Sequence, residues 1–319
     1  MSIDRVSDVH FSDLVEGGYD VAIFASGYES RCLQVPRLLR QSDISAVVVL
    51  GFEDLATSKE RLSHDEYFKT EWAAPPIISK SDDDFVIQSV LNELQRLRGP
   101  LHRILVDYSS MSRIWYAGLL NWVRYASNSA STVIDFVYSC GQYQEDFPQM
   151  VIKDMLMVPG CEGATPRSGK SIAVFGLGFN GWASKCVLER LEADEVFAFV
   201  ANPGSSEGYP SRVRLANAEF LEEPRLLNHT LDLPLASVTT SYRYLAELVC
   251  PNLARDSITL VPMGPKPHVL ASILLAIKFP EVACLRVSAM RAYTEAVSPT
   301  GELIVTRVVV NGEQRPLLS

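Results

Sequence analysis

Residues 107–113 carry the most specific candidate ligand-binding pattern in the first half of the sequence. An aspartate, three serines and an arginine follow the apolar run 104–106. Hydroxyls and turn amides can hold a phosphate or a ribose, and an arginine pairs well with an anion. If the run is a strand of an α/β sheet, the turn lies where such sheets bind ligands. The alternative is that a serine here only caps the following helix. We predict ligand contacts from four residues, Asp107, Ser109, Ser110 and Arg113.

A second polar turn, residues 26–31, follows another apolar run. Its tyrosine is suited to stack on a base, and its arginine is suited to pair with a phosphate. A solvated ion pair between Glu29 and the arginine is an equally good interpretation. The prediction for this turn is ligand contact from Ser26, Gly27, Tyr28 and Arg31.

Gly176, Gly178 and Gly181 fit the G-x-G-x-x-G pattern, between an apolar run and a predicted helix. Such glycines let the backbone turn tightly and approach a phosphate, whose charge the start of the helix favours. With Asn180 they form the third predicted ligand turn. The next predicted strand, residues 195–200, lacks an acidic residue at its end to hold a ribose, which argues against an ordinary NAD site. A glycine turn that only packs against its neighbours is the alternative.

The turn at residues 262–268 occupies the same place in the second half as the turn at 107–113 does in the first. It has a lysine between two prolines. Rigid prolines present Lys266 at low entropic cost, and we predict ligand contacts from Lys266 and His268. A turn that is merely stiffened by its prolines is the alternative.

Neither a metal site nor a cofactor is predicted. The triplet His64, Asp65 and Glu66 has residue types that bind metals, but it falls in the polar stretch 52–76 with no second histidine nearby. We interpret the triplet as surface and the stretch as a helical excursion or a loop.

Strands and helices alternate along the chain, which is typical of parallel α/β sheets. The first half predicts strands at 20–25, 44–51, 103–107 and 132–139, with helices at 32–40, 82–97 and 114–127. The second half predicts strands at 172–175, 196–200, 257–261 and 282–287, with helices at 182–193, 211–222, 237–248 and 269–276. Residues 1–18 are expected to form coil or an edge helix, and residues 303–310 an edge strand.

The two halves repeat one scheme, so the predicted fold is α/β, with two tandem Rossmann-like units, mainly parallel sheets and an internal duplication. The pattern makes Phe24 correspond to Phe175 and Val106 to Val261. Turn residues mark the likeliest linker. The predicted first unit spans residues 1–158, the linker 159–170 and the second unit 171–319.

The composition is that of a globular protein, with 47% hydrophobic and 21% charged residues among 319. A net charge of −9 disfavours long nucleic acid, which needs a basic face, but not a small anion in a local pocket. The most apolar run, residues 269–277, is too short to span a bilayer, so no membrane association is expected. The cysteines are scattered and the N-terminal segment is polar, which predicts a cytoplasmic protein without disulfides.

The Asp-Tyr-Ser-Ser-Met-Ser-Arg and Gly-Pro-Lys-Pro turns resemble the strand-end motif of CARF and SAVED sensor domains. In that motif an acid, a hydroxyl and small residues precede lysine or arginine. Asp107, Ser109 and Arg113 match it in part, and Lys266 matches it without the acid, since Pro262 takes that place. These domains are Rossmann-like parts of prokaryotic antiviral systems, bind cyclic oligonucleotides and pair to form one pocket. The resemblance implies a sensor of a small anionic nucleotide-type ligand, with an effector protein as the partner that supplies the output.

Two other functions fit the same residues. A nucleotide- or nucleoside-processing enzyme, either a hydrolase or a transferase, would use Asp107 as its general acid or base. A scaffold subunit would retain the turns without binding a ligand. Turnover of the ligand separates the enzyme from the sensor, and absence of binding would indicate the scaffold.

Overall fold

A computed structural model describes residues 2–14, 17–125, 131–142, 151–163, 168–289 and 297–311. Its strands are β1 Ser2–Asp8, β2 Val21–Ser26, β3 Val47–Phe52, β4 Ile77–Ser79, β5 Arg103–Asp107, β6 Thr132–Gly141, β7 Ile152–Glu162, β8 Ser171–Gly176, β9 Glu195–Ala201, β10 Leu226–Leu233, β11 Ser257–Pro262, β12 Val282–Ala289 and β13 Pro299–Asn311. Its α-helices are α1 Gln34–Leu38, α2 Lys59–Glu71, α3 Phe85–Arg98, α4 Arg113–Tyr125, α5 Gly181–Leu191, α6 Tyr209–Ala216, α7 Ala218–Leu221, α8 Val238–Val249 and α9 Lys266–Lys278.

The strands form two sheets, one in each of two compact units. The first sheet has the order β1-β13-β6-β5-β2-β3-β4, and the second has the order β10-β9-β8-β11-β12-β7. Unit 1 comprises Met1–Gln142 with Ala296–Ser319, and unit 2 comprises Tyr143–Glu295. Most neighbouring strands are parallel. The predicted fold class, an α/β protein with two mainly parallel sheets, is confirmed.

The two sheets share one strand order, which fits a tandem duplication. From its antiparallel strand, the first sheet runs β13-β6-β5-β2-β3-β4 and the second runs β7-β12-β11-β8-β9-β10. The register departs by one residue from the equivalences that the sequence pattern suggests. Val106 pairs with Ile23, whereas Val261 pairs with Phe175. If Phe24 is equivalent to Phe175, the residue of the first unit that is equivalent to Val261 is therefore Asp107 and not Val106.

The antiparallel strands are exchanged between the two halves of the sequence. β7 follows β6 in the chain but pairs with β12, and β13 follows β12 but pairs with β6. The sequence pattern grouped the C-terminal strand with the second unit and placed it at an edge. Instead β13 lies inside the first sheet, between β6 and β1, and β1 is a strand where coil or helix was expected. β7 runs to Glu162 and so occupies the start of the predicted linker, of which residues 164–167 lie outside the described residues.

The central parallel strands are buried on both faces, which explains their continuous apolar sequences. β2 is buried at every position, and β8 at every position but its first. Helices that cover both faces of a parallel sheet remove the polar-apolar alternation of a half-exposed strand. Among the residues that the structure describes, no helix combines the length and apolarity needed to cross a membrane.

Candidate functional site

Two polar turns of unit 1 leave neighbouring strands at the point where the strand order reverses. β3 and β4 lie on one side of β2, whereas β5 and β6 lie on the other. β2 and β5 are parallel neighbours, so the turns after Ser26 and Asp107 leave the same edge of the sheet. Open α/β sheets bind ligands at such a switch point. A Cβ added at Gly27 would lie 3.3 Å from the Cβ of Ser110, so the two turns approach each other closely.

Asp107 shapes the turn that follows it. Its side chain is buried, and its Oδ1 accepts hydrogen bonds from both the backbone N (3.0 Å) and the Oγ of Ser109. The Oγ of Ser109 in turn accepts a bond of 2.7 Å from the backbone N of Ser139, two residues before the end of β6. The carboxylate therefore holds the turn in its conformation and links it to the neighbouring strand.

The other two serines of this turn differ, because one caps a helix and the other has an unpaired hydroxyl. Ser112 Oγ accepts from the backbone N of Trp115 at 3.3 Å and so caps α4. For this serine the alternative given above, a helix cap, is the observed role. Ser110 Oγ is buried and has no hydrogen-bond partner among the described residues. Arg113, the first residue of α4, is half-buried and follows Ser110 by three residues. A buried hydroxyl without a partner is costly, and a ligand or a water would satisfy it.

The guanidinium of Arg31 donates hydrogen bonds to two protein side chains. Its Nε donates to Glu29 Oε2 at 2.6 Å, and its Nη1 donates to the hydroxyl of Tyr138 at 3.1 Å. The Arg31 and Glu29 side chains are only 12% and 14% exposed, so this ion pair is largely shielded from water. A ligand phosphate at Arg31 would therefore compete with a carboxylate. Tyr28, in the same turn, is half-buried.

Helix α2 supplies site residues that the sequence pattern did not identify. The interpretation of residues 64–66 as surface is wrong for His64, which is 8% exposed. Its Nδ1 lies 2.7 Å from the carbonyl oxygen of Gly27 and 3.4 Å from the Sγ of Cys32. Because a carbonyl oxygen can only accept, the Nδ1 carries the proton that holds the first turn.

Arg61 and Asp65 tie α2 to the ends of β2 and β3. Asp65 Oδ1 accepts from Arg61 Nε and from Ser26 Oγ, each at 2.6 Å. Arg61 Nη1 donates to the carbonyl oxygen of Phe52 at 2.9 Å, and its Nη2 has no partner among the described residues. Arg61 is 1% exposed, and the carboxylate of Asp65 compensates its buried charge. The spacing of residues 61, 64 and 65 places them on one helix face, which is the signal that the sequence offered.

Cys32 and His64 do not form a nucleophilic pair. Burial raises the pKa of the Cys32 thiol to about 12, so the thiol stays protonated at neutral pH. Reactive cysteines need a lowered pKa and a partly exposed position, whereas Cys32 is 1% exposed. The network of α2 is therefore suited to hold the turn after β2, not to attack a substrate.

In unit 2, each glycine of the G-x-G-x-x-G turn faces a close neighbour. A Cβ at Gly176 would lie 2.6 Å from the ring of Phe199, and one at Gly178 would lie 2.5 Å from the carbonyl oxygen of Met263. A Cβ at Gly181 would overlap the carbonyl oxygen of Ala216. Packing alone therefore accounts for all three glycines, in agreement with the alternative interpretation of this turn.

Two asparagines hold the glycine turn in place. Asn180 caps α5, because its Oδ1 accepts from the backbone N of Ala183 at 3.2 Å. The buried Asn217 donates from its Nδ2 to the carbonyl oxygen of Gly178 at 2.7 Å. The predicted contact residue Asn180 thus has a structural role, and Asn217 was not identified from the sequence.

The two predicted residues of α9 lie in different environments. Lys266 begins the helix and is half-buried. His268 is 1% exposed, and its ring centroid lies 5.4 Å from that of Phe199. Burial lowers the pKa of His268 to about 4, so its ring is neutral at pH 7. A buried neutral imidazole has no charge to offer an anionic ligand.

Comparison with known proteins gives no further constraint on the site. No protein-family model matches the chain, and no curated protein shows significant similarity to it.

Proposed function

We propose that unit 1 binds a small anionic ligand of the nucleotide type at the switch point between β2 and β5, and that the chain works as a sensor. The observation that carries the proposal is the meeting of two polar turns at this edge, where Ser110 offers a buried unpaired hydroxyl. Arg113 supplies the cation for a phosphate.

The α2 network supports binding because it orders the first turn before a ligand arrives. His64 holds the carbonyl of Gly27, and Asp65 holds the hydroxyl of Ser26. A binding loop that is already ordered loses less conformational entropy when the ligand binds. The buried Arg61 fixes Asp65 in turn.

Binding without turnover fits this site better than catalysis. Both bonds from Ser109 to Asp107 end on the same carboxylate oxygen and hold the turn. The Cys32 thiol is protonated at neutral pH. A catalytic acid or base needs access to its substrate, whereas Asp107 is 2% exposed.

The resemblance to CARF and SAVED domains supports a cyclic oligonucleotide as the ligand. An effector protein that responds to the bound chain, in a prokaryotic defence or signalling system, would complete the function. A panel of cyclic di-, tri- and tetranucleotides, linear oligonucleotides and nucleoside triphosphates tests this proposal by thermal shift. Chromatography of the recovered ligand distinguishes a sensor, which returns it unchanged, from an enzyme.

Replacing Arg113 with alanine weakens the binding of the ligand that this panel identifies by about tenfold or more. A charge-assisted hydrogen bond contributes roughly 1.5–3 kcal/mol, and Arg113 is the arginine of the second turn. Titration calorimetry on wild type and variant measures the change. Arg96→Ala is the matched control, because Arg96 forms an exposed ion pair with Glu93 on α3 and should leave the affinity unchanged. Equal affinities of wild type and Arg113→Ala would remove Arg113 from the site.

A further inference from the structure

A small cavity of unit 1 lies at the amino-terminal ends of β2 and β3. It has a volume of about 140 Å³, and its lining combines two charged residues with five apolar or aromatic ones, Leu14, Tyr19, Leu38, Leu39 and Ile44. Tyr19 and Ile44 form an isolated parallel bridge just ahead of the two strands. The turns after Ser26 and Asp107 leave the carboxyl ends of their strands, so the cavity shares no residue with the site proposed above. The two proposals can therefore fail separately.

The interior of this cavity is apolar. Leu14 and Tyr19 are 0% and 4% exposed, and the hydroxyl of Tyr19 donates to Asp135 Oδ2 at 2.8 Å rather than to a ligand. Leu38 is 52% exposed, so the cavity opens to solvent on that side. A cavity of roughly 150 Å³ with aliphatic and aromatic walls stays dry and takes a group the size of benzene. This cavity is therefore large enough for one phenyl ring or one branched aliphatic side chain.

Two opposite charges, Arg40 and Asp43, complete the lining. They stand at the two ends of one 3₁₀ turn, in which the backbone N of Asp43 donates to the carbonyl oxygen of Arg40 at 3.1 Å. Residues three apart in such a turn lie on the same face. Within the described part of the chain, neither side chain forms an ion pair, and Asp43 Oδ1 accepts a hydrogen bond of 3.1 Å from Ser42 Oγ. A ligand in the cavity thus meets one cation and one anion.

The backbone of this turn is fixed to the strand that precedes the cavity. The backbone N of Tyr19 donates to the carbonyl oxygen of Asp43 at 2.7 Å, and the backbone N of Ser45 donates to the carbonyl oxygen of Tyr19 at 2.9 Å. The two charged residues are therefore placed beside the cavity before a ligand arrives, which lowers the entropic cost of binding.

We infer that this cavity binds a free amino acid with an apolar side chain, of the size of phenylalanine. The side chain fills the cavity, the α-carboxylate pairs with Arg40, and the α-ammonium pairs with Asp43. An apolar acid would bring its carboxylate next to Asp43 without an ammonium to offset the repulsion, and an apolar amine would do the same next to Arg40. A terminal residue of a peptide carries only one of the two charges and is disfavoured for the same reason.

Calorimetric titration of the full chain with three related compounds tests the inference. L-Phenylalanine should bind saturably at millimolar concentration. 3-Phenylpropanoate lacks the ammonium and 2-phenylethylamine lacks the carboxylate, and neither is bulkier than phenylalanine. Each should bind about fivefold more weakly, which is the upper end for an exposed ion pair. Glycine has both charges but no side chain, and it should not bind.

Two variants assign the two charges. Arg40→Ala should weaken phenylalanine binding by about fivefold without weakening that of phenylethylamine, because the amine has no carboxylate to lose a partner. Asp43→Asn should weaken phenylalanine binding by a similar factor without weakening that of phenylpropanoate. The matched controls are Arg96→Ala and Glu93→Gln, which remove an exposed ion pair on α3 and should change none of these affinities.

The pattern across the compounds separates charge recognition from a structural effect. A variant that merely distorts the cavity would weaken all three compounds alike, and that result would overturn the inference. Absence of phenylalanine binding at millimolar concentration overturns it too. So does equal affinity of the wild type for the three compounds, since the cavity would then accept any phenyl group whatever charges it carries.

Discussion

Replacing Val308 with aspartate unfolds unit 1. Val308 is fully buried in β13, between Ile134 of β6 and Val6 of β1. A carboxylate at this position would have to enter the core of the sheet without a partner, which costs about 4 kcal/mol or more. Hydrogen exchange followed amide by amide measures the outcome, with loss of protection expected in β1, β5 and β6. The expected effect is large because β13 is an interior strand rather than an edge.

The matched control for this variant is Asn311→Asp. It adds the same charge at the exposed end of the same strand, and it should leave the protection of unit 1 intact. β8 and β9 of unit 2 do not pair with β13, so their amides report on the second sheet separately. Loss of protection in β8 and β9 with an intact β6 would contradict the exchange of strands and place the C-terminal strand in unit 2.

Replacing Gly181 with alanine destabilises unit 2 by about 3 kcal/mol, at the upper end of the usual range for overpacking. The added methyl group would overlap the carbonyl oxygen of Ala216, the last residue of α6, and a backbone group cannot rotate away. The helix-forming tendency of alanine stabilises the variant by roughly 1 kcal/mol. The variant is therefore less stable than the wild type only if the overlap costs more than this gain. Chemical denaturation followed by circular dichroism measures the change.

Gly208→Ala is the control for Gly181→Ala. Both glycines lie at the start of a helix, but a Cβ at Gly208 meets nothing within 4 Å. Gly208→Ala should therefore keep the stability of the wild type or exceed it slightly. If Gly181→Ala is as stable as Gly208→Ala, the glycine turn does not pack as the structure places it.

The sequence predicts the repeating strands and helices because their apolar runs are long and nearly continuous. β5 was predicted with its observed bounds, and β2, β6 and β8 within two residues of theirs. Neither the position of β13 nor the strand conformation of β1 could be predicted. Both depend on pairing between the two ends of the chain, and no local pattern encodes such a pairing.

The candidate site was predicted only in part, because a sequence does not show which polar helix faces turn inward or what a glycine packs against. The turns at 26–31 and 107–113 were identified because strand ends of an α/β sheet converge. His64 was missed because α2 turns a polar face inward, contrary to the usual pattern of a helix. The glycines of unit 2 show the second reason. A glycine that admits a phosphate and a glycine that admits a carbonyl oxygen look the same in a sequence, and only the neighbour distinguishes them.

The central claim is that unit 1 binds a nucleotide-type ligand at the switch point between β2 and β5. The most direct test is an experimental structure of the full chain with the ligand that the thermal-shift panel identifies. The account predicts that the ligand contacts both turns, 26–31 and 107–113, and that Ser110 Oγ and Arg113 lie within hydrogen-bond distance of its polar atoms. A ligand that binds tightly but touches neither turn would contradict the account.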